Sequence, residues 1–250
     1  MIRRRLLIAG VAVMVTVVGA LEAQRRYYSE DEPNVAYDGR FTFARVRYNM
    51  EMLGGRMRGD PPWRHDYPRG ERHFTKILSE LSSVKVRTQE SNILDLSDPE
   101  IFKHPVLYMS EPGFWVPDDL EIENLRKYLQ KGGFLFFDDY THQHFYNLQA
   151  QLRRVLPEGR IVELTTADPI FDTFYRIENL DYAHPMYGGG SVFHGIYEDN
   201  DPTKRLLMIM NTNNDLSEYW EFSDVGYFPI EASNEAYKLG INYIIYALTR

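Results

Sequence analysis

Three apolar runs without alternation constrain this chain more than any other feature: PVLYM at 105–109, FLFF at 134–137 and LLMIM at 206–210. A strand with one wet face alternates apolar and polar residues, whereas a strand covered on both faces does not. Such runs therefore read as central strands of a parallel sheet held between helices. The stretch between the first two runs agrees. Asp118 and Glu121 stand three apart as a helix-capping pair, and Leu120, Leu125, Tyr128 and Leu129 form an apolar stripe that Gly132 ends. Strand, helix, glycine, strand is a βαβ unit, whose crossover is right-handed.

The same logic extends along the chain. FTFARVRY (41–48) and VKVR (84–87) read as strands, with a helix near 71–82 between them. A helix is expected from just after Asp139 to about 156, carrying Leu148, Leu152 and Val155. A last one covers about 231–248, with Tyr237, Ile241, Ile244 and Leu248 as its stripe. The expected fold is α/β: an open, mainly parallel sheet with helices on both faces, of flavodoxin-like type.

The first 23 residues, MIRRRLLIAGVAVMVTVVGALEA, place three arginines ahead of an uncharged run from Leu6 to Leu21 and end in small residues. That is the pattern of a signal peptide, and the apolar run falls short of the roughly 20 residues that span a bilayer comfortably. A retained signal anchor is the alternative, and membrane contact is expected through this segment alone. Residues 24–40 read as a flexible tether and 41–250 as one domain. The chain has no cysteine, so disulfides, thiolate metal sites and thiol nucleophiles are excluded. A cysteine-free exported protein with 44% apolar residues suits a periplasm, or secretion, with a core large enough to need no staples. The formal charge of −8 opposes binding to nucleic acid.

In open α/β sheets ligands bind beyond the carboxyl ends of the strands. Glu111 follows the first apolar run, Asp138, Asp139 and Tyr140 follow the second, and Asn213 and Asn214 fall within NTNND after the third. The long loop 49–68, with Trp63, Asp66 and Tyr67, leaves the first strand toward the same rim. Trp63, in polar surroundings, is expected at the surface.

Two readings of Asp138 and Asp139 stand side by side. They end the strand and accept hydrogen bonds from the N–H groups of the next helix, or at least one of them is a ligand or catalytic group. A period of two puts Asp138 on the face of Phe134 and Phe136 and Asp139 on the other, so they converge only if the chain turns sharply. If Thr141 caps the following helix, His142 reaches the rim and His144 leans on the core. No metal and no cofactor are expected, because oxygen-seeking ions want more carboxylates than this rim shows in sequence. His184 and the GGG at 188–190 read as structural, since the glycines lack the strand-to-helix setting of a phosphate cradle. Ser110 lacks the flanking glycines of a nucleophile elbow.

Taken together, RVRY, DYPRGE, VLYMSEPGF with GGFLFFDD, GIYEDN, NNDLSEYWE and YKLGINYIIYALT resemble the bacterial domain-of-unknown-function family 4159 across about 41–249. The resemblance implies an exported protein with a class I glutamine-amidotransferase-like fold and no assigned activity. The amidotransferase cysteine would stand near Asp138-Asp139-Tyr140, so thioester chemistry is excluded here. Architecture does not carry function across that gap.

The expectation is a non-thiol module of the bacterial envelope that binds a small polar ligand or an envelope protein at this rim. Asp66, Tyr67, Tyr140, His142, Asn213 and Asn214 would line it. The alternative is a hydrolase acting on a glycan or other polar polymer, with Asp138, Asp139 and Glu111 as acid and base.

Overall fold

The computed structural model describes residues 31–50, 60–181 and 184–250. The leader, residues 24–30 of the tether and the loop at 51–59 lie outside the described residues. The chain divides into Met1–Glu32 and a compact unit, Pro33–Arg250. Among the described residues no helix is long and apolar enough to cross a membrane.

The compact unit contains β1 (Phe41–Arg47), α1 (Arg69–Leu81), β2 (Val86–Asp95), β3 (Val106–Ser110), α2 (Asp119–Gln130) and β4 (Phe134–Tyr140). Then come α3 (His142–Val155), β5 (Val162–Glu163), β6 (Val192–Tyr197), β7 (Leu206–Thr212), α4 (Leu216–Glu221) and α5 (Ile230–Thr249). One seven-stranded sheet runs β2-β1-β3-β4-β7-β6-β5. The first five of these are parallel, and β6 and β5 add as antiparallel strands. The three apolar runs are thus β3, β4 and β7, adjacent and co-directional, and their polar exits share one edge.

Alternation explains the layers. Phe41, Phe43, Tyr108, Phe134, Phe136 and Ile209 face α1, α4 and α5, where Phe74, Leu78, Trp220 and Leu239 meet them. Ala44, Val46, Leu107, Met109, Leu135, Phe137 and Met210 face α2 and α3 through Ile122, Leu125, Leu129, Leu148 and Leu152. Both faces are covered, so the central strands need no polar side. The helix N-terminus at Asp118 forms the full reciprocal cap with Glu121, and Gly132 takes a left-handed φ of 104°.

Several expectations are corrected. Leu120 is 53% exposed, and Ile122 takes its place in the stripe. Leu248 is also exposed. The strand at VKVR extends to Asp95, because its inner half, Ile93 and Leu94, packs in the core while its outer half lies at the sheet edge. The supposed tether is pinned from residue 34. Asn34 Nδ2 donates to Ile93 O at 2.7 Å and Ile93 N donates to Asn34 Oδ1 at 2.8 Å, with Val35 and Asn92 making a second such pair. The first pair occupies the backbone groups of Ile93 in an edge strand, which would otherwise be open to pairing. Trp63 is buried, not on the surface, with its carbonyl accepting from Arg45 Nη1 at 2.9 Å.

Candidate functional site

The strand order reverses between β1 and β3, where the chain first builds outward to β2 and then returns to the other side. Loops leaving these neighbours diverge and open a crevice at the carboxyl ends. A crevice of about 340 Å³ lies there, lined by His65 and Asp66 after β1, Glu111 after β3, Asp139 to Thr141 and His144 after β4, and Asp215 and Glu218 after β7. Met186 and Tyr187 close one side. They reach it because β6 is antiparallel, so the segment entering β6 arrives at the same edge.

The loop carrying His65 and Asp66 is fixed from below. Arg45, fully buried in β1, pairs with Glu71 at 2.6 Å, stacks over the Tyr108 ring and holds the Trp63 carbonyl. Its positive charge is thereby committed beneath the crevice. Asp66, Glu111, Asp139 and Asn213 all have left-handed backbones, with φ of 64°, 44°, 59° and 61°. Such residues are strained without glycine, and their concentration on one rim marks a surface built for side-chain placement.

Asp139 is the hub. Its Oδ1 accepts from the Tyr187 hydroxyl and its Oδ2 from Ser110 Oγ at 3.1 Å. His65 Nδ1 lies 2.5 Å from Glu111 Oε1 and 3.5 Å from Asp139 Oδ2. Hydrogen bonding to Asp139 and to Glu111 pushes His65 up to about 10, so it stands in the crevice as a cation. On the other side Ser217 Oγ lies 2.6 Å from Asp66 Oδ2 and 3.1 Å from Asp215 Oδ1. Burial, followed by the charge of Asp139, raises both Asp66 and Asp215 well above the usual carboxylate range. Five carboxylates, Glu218 included, thus line one pocket, with His65 as the cation among the described lining residues.

Two groups of these residues could hold a metal ion. One donor atom each from His65, Glu111 and Asp139 lie within 4.8 Å of one another, as do donors from Asp66, Asp139 and Asp215. The donor set, carboxylate oxygens with one imidazole, suits hard or borderline divalent ions. Sequence spacing showed too few rim carboxylates for such a group. The fold supplies them by bringing Asp66 and Asp215 to Asp139 from loops about 75 residues away on either side.

Asp138 stands apart. It is fully buried and accepts from Asn211 Nδ2 at 3.1 Å and from the N–H groups of Leu216 and Ser217 at 2.8 and 3.1 Å. It does cap a helix, but α4 and not the helix that follows it in sequence. Burial outweighs the donated hydrogen bonds and brings it to about 7. With its lone pairs committed inside the core, it does not border the crevice.

Asn213 and Asn214 brace the rim from behind. Asn213 Nδ2 donates to Gly188 O at 2.5 Å, while Asn214 takes the Asp139 N–H on its carbonyl and the Asp215 N–H on its side chain. Tyr140 borders the crevice, but its hydroxyl turns inward onto Thr212 Oγ1 at 2.9 Å. Tyr67 is buried with the Arg64 guanidinium over its ring. The two histidines exchange the places expected of them. His142 is exposed outside the crevice, and His144 lines it, packed edge-on to Phe114. The reversal follows from helix phase, since Gly113 leaves room for His144 at the crevice wall.

Sequence pattern passed over His65 and Tyr187. His65 adjoins Asp66, so treating HDY as one unit on a switch-point loop would have included it. Tyr187 carried no signal, because β6 was not expected.

The fold and rim define a class: an open α/β domain with an acidic crevice at its topological switch point. The particular family follows from comparison. The chain belongs to the family described as Domain of unknown function (DUF4159), matched over residues 42–248. No curated protein matches it.

Proposed function

We propose that this chain is an exported module of the bacterial cell envelope that binds a small polar ligand bearing positive charge in the crevice. The N-terminal basic and apolar segment supports export. The binding reading is carried by one observation: Asp66, Glu111, Asp139 and Asp215 converge in a walled crevice around His65. Like charges gathered out of water raise one another's proton affinity unless a cation joins them. A ligand cation supplies that charge, and it competes with the proton on His65. Binding must displace the proton that His65 holds up to about pH 10, so affinity rises as the proton concentration falls.

Calorimetric titration with Ca²⁺, Mn²⁺, Zn²⁺, spermidine and glucosamine at pH 6 and pH 8 tests this. At least one probe should bind, more tightly at pH 8, with Asp139→Asn weakening it by about tenfold or more through loss of a charge-assisted contact. Silence from every probe at both pH values would overturn the reading.

A second reading has its own support. Glu111 and Asp139 place carboxylate oxygens within 4.8 Å of each other, and Asp139 sits left-handed where a strand turns toward a helix. Paired carboxylates at roughly 5 Å serve as acid and base, or as nucleophile, in glycan hydrolysis. Release of reducing ends from envelope glycans, abolished by Glu111→Gln, would favour this reading over binding alone.

A further inference from the structure

We propose that residues 185–190 form a flap that shuts the crevice, with the Tyr187 hydroxyl as a plug on Asp139 that an incoming ligand must displace. This rests on the reading of the crevice as a ligand site and adds how access to it is controlled.

The flap is held at two posts. At one, buried His184 is wedged against the rings of Tyr187, Tyr219 and Phe228, its Nε2 3.3 Å from Glu218 Oε2. Its carbonyl and Nδ1 take the N–H groups of Tyr187 and Met186 at 3.1 and 3.3 Å. At the other post, Asn213 grips Gly188 O, and Ser191 Oγ donates to Asn213 O at 3.1 Å. Between the posts the chain is exposed apart from Tyr187, and Met186 at its tip is 65% exposed.

Glycine usage there is informative. Gly189 has a φ of 88°, which favours glycine. Gly188 has no such φ, and a Cβ on it would meet nothing within 4 Å. Neither packing nor backbone geometry requires glycine at 188, and what its absence of a side chain confers is freedom for the segment to swing.

The plug is suited to exchange. Burial, then the nearby Asp215 and Asp139 charges, drive the Tyr187 hydroxyl upward, so it remains a neutral donor. It occupies Asp139 Oδ1 while Oδ2 faces Ser110 and His65. A cationic ligand offers Asp139 a stronger partner than a neutral hydroxyl, so binding and flap opening are linked.

Carbodiimide labelling of carboxylates, read by peptide mass spectrometry on the full chain, tests the gate without any ligand. Tyr187→Phe should raise labelling of Asp139 by up to about tenfold, since one hydrogen bond to a carboxylate no longer holds the flap. Labelling of the exposed Glu158 should not change. Gly188→Ala, which fits its site, should lower Asp139 labelling roughly two- to fivefold by stiffening the flap. Equal Asp139 labelling in wild type and both variants would overturn the gate. A gain in Tyr187→Phe without cation binding in any variant would keep the gate and reject the ligand reading.

Discussion

Adjacent residues can have opposite fates, as Asp138 and Asp139 do. Asp138 carries structure: three donors converge on it, two of them the first N–H groups of α4. Asp138→Ala would strand all three inside the core, so a loss of about 3 kcal/mol in denaturant unfolding is expected. Asp139→Ala removes a charge from a crowded pocket and should change stability by less than about 1 kcal/mol. A larger cost at Asp139 than at Asp138 would reverse this assignment. Strand periodicity put Asp138 on the Phe134 and Phe136 face, where it lies. The left-handed turn at Asp139 was not legible, because the main-chain bonds Asp139 N to Asn214 O and Asn213 N to Tyr140 O impose it from β7's exit.

Among elements, the helices show where close approach replaces side-chain bulk. Gly240 in α5 lies against the stacked Phe74 and Trp220 rings, and a Cβ there would come within 2.6 Å of Trp220 Cζ2 and 2.7 Å of Phe74 Cε2. Gly240→Ala gains helix propensity but overpacks two fully buried rings, for a net loss of about 1–2 kcal/mol. A raised Tm in that variant would show that the ring stack yields more easily than its burial implies. Helices with caps and stripes, α2 above all, were readable before folding was considered. The antiparallel strand β6 was not, since VFHGIY interrupts its apolar positions with His194 and Gly195. Gly195 leaves out a Cβ that would come within 2.6 Å of Leu206 Cδ1 and 3.1 Å of Leu164 Cδ1. That pairing is visible only in three dimensions.

At the scale of the whole molecule, the buried carboxylates and His65 around the crevice take up protons on folding over a wide range. His104 and His194, lowered by burial, act in the opposite sense near their ordinary range. Asp66, Asp138 and Asp215 are raised, Asp138 to about 7, so between about pH 4 and 7 the folded chain binds more protons than the unfolded chain. Stability from these groups is therefore lost as pH climbs through that interval. His65, raised to about 10, keeps its proton in the fold above its unfolded value of about 6.5, and its contribution fades between those limits. Both effects point the same way. The ligand-free protein should melt at a lower temperature at pH 9 than at pH 5, and Asp139→Asn should flatten the difference. A Tm that rises between these two pH values would contradict the crowding of carboxylates described above.

What the sequence determined by itself was the layered α/β sheet, because burial on both faces is written residue by residue in Val106–Met109, Phe134–Phe137 and Leu206–Met210. It also determined that no thiol chemistry operates and that the polar exits of these strands are the place to look. Tertiary structure alone decided which exits matter. His65, Glu111, Asp139, Asp215 and Tyr187 come from five separate stretches, and no local preference makes any of them neighbours. Strand order and backbone turns do, and a local pattern holds no record of either.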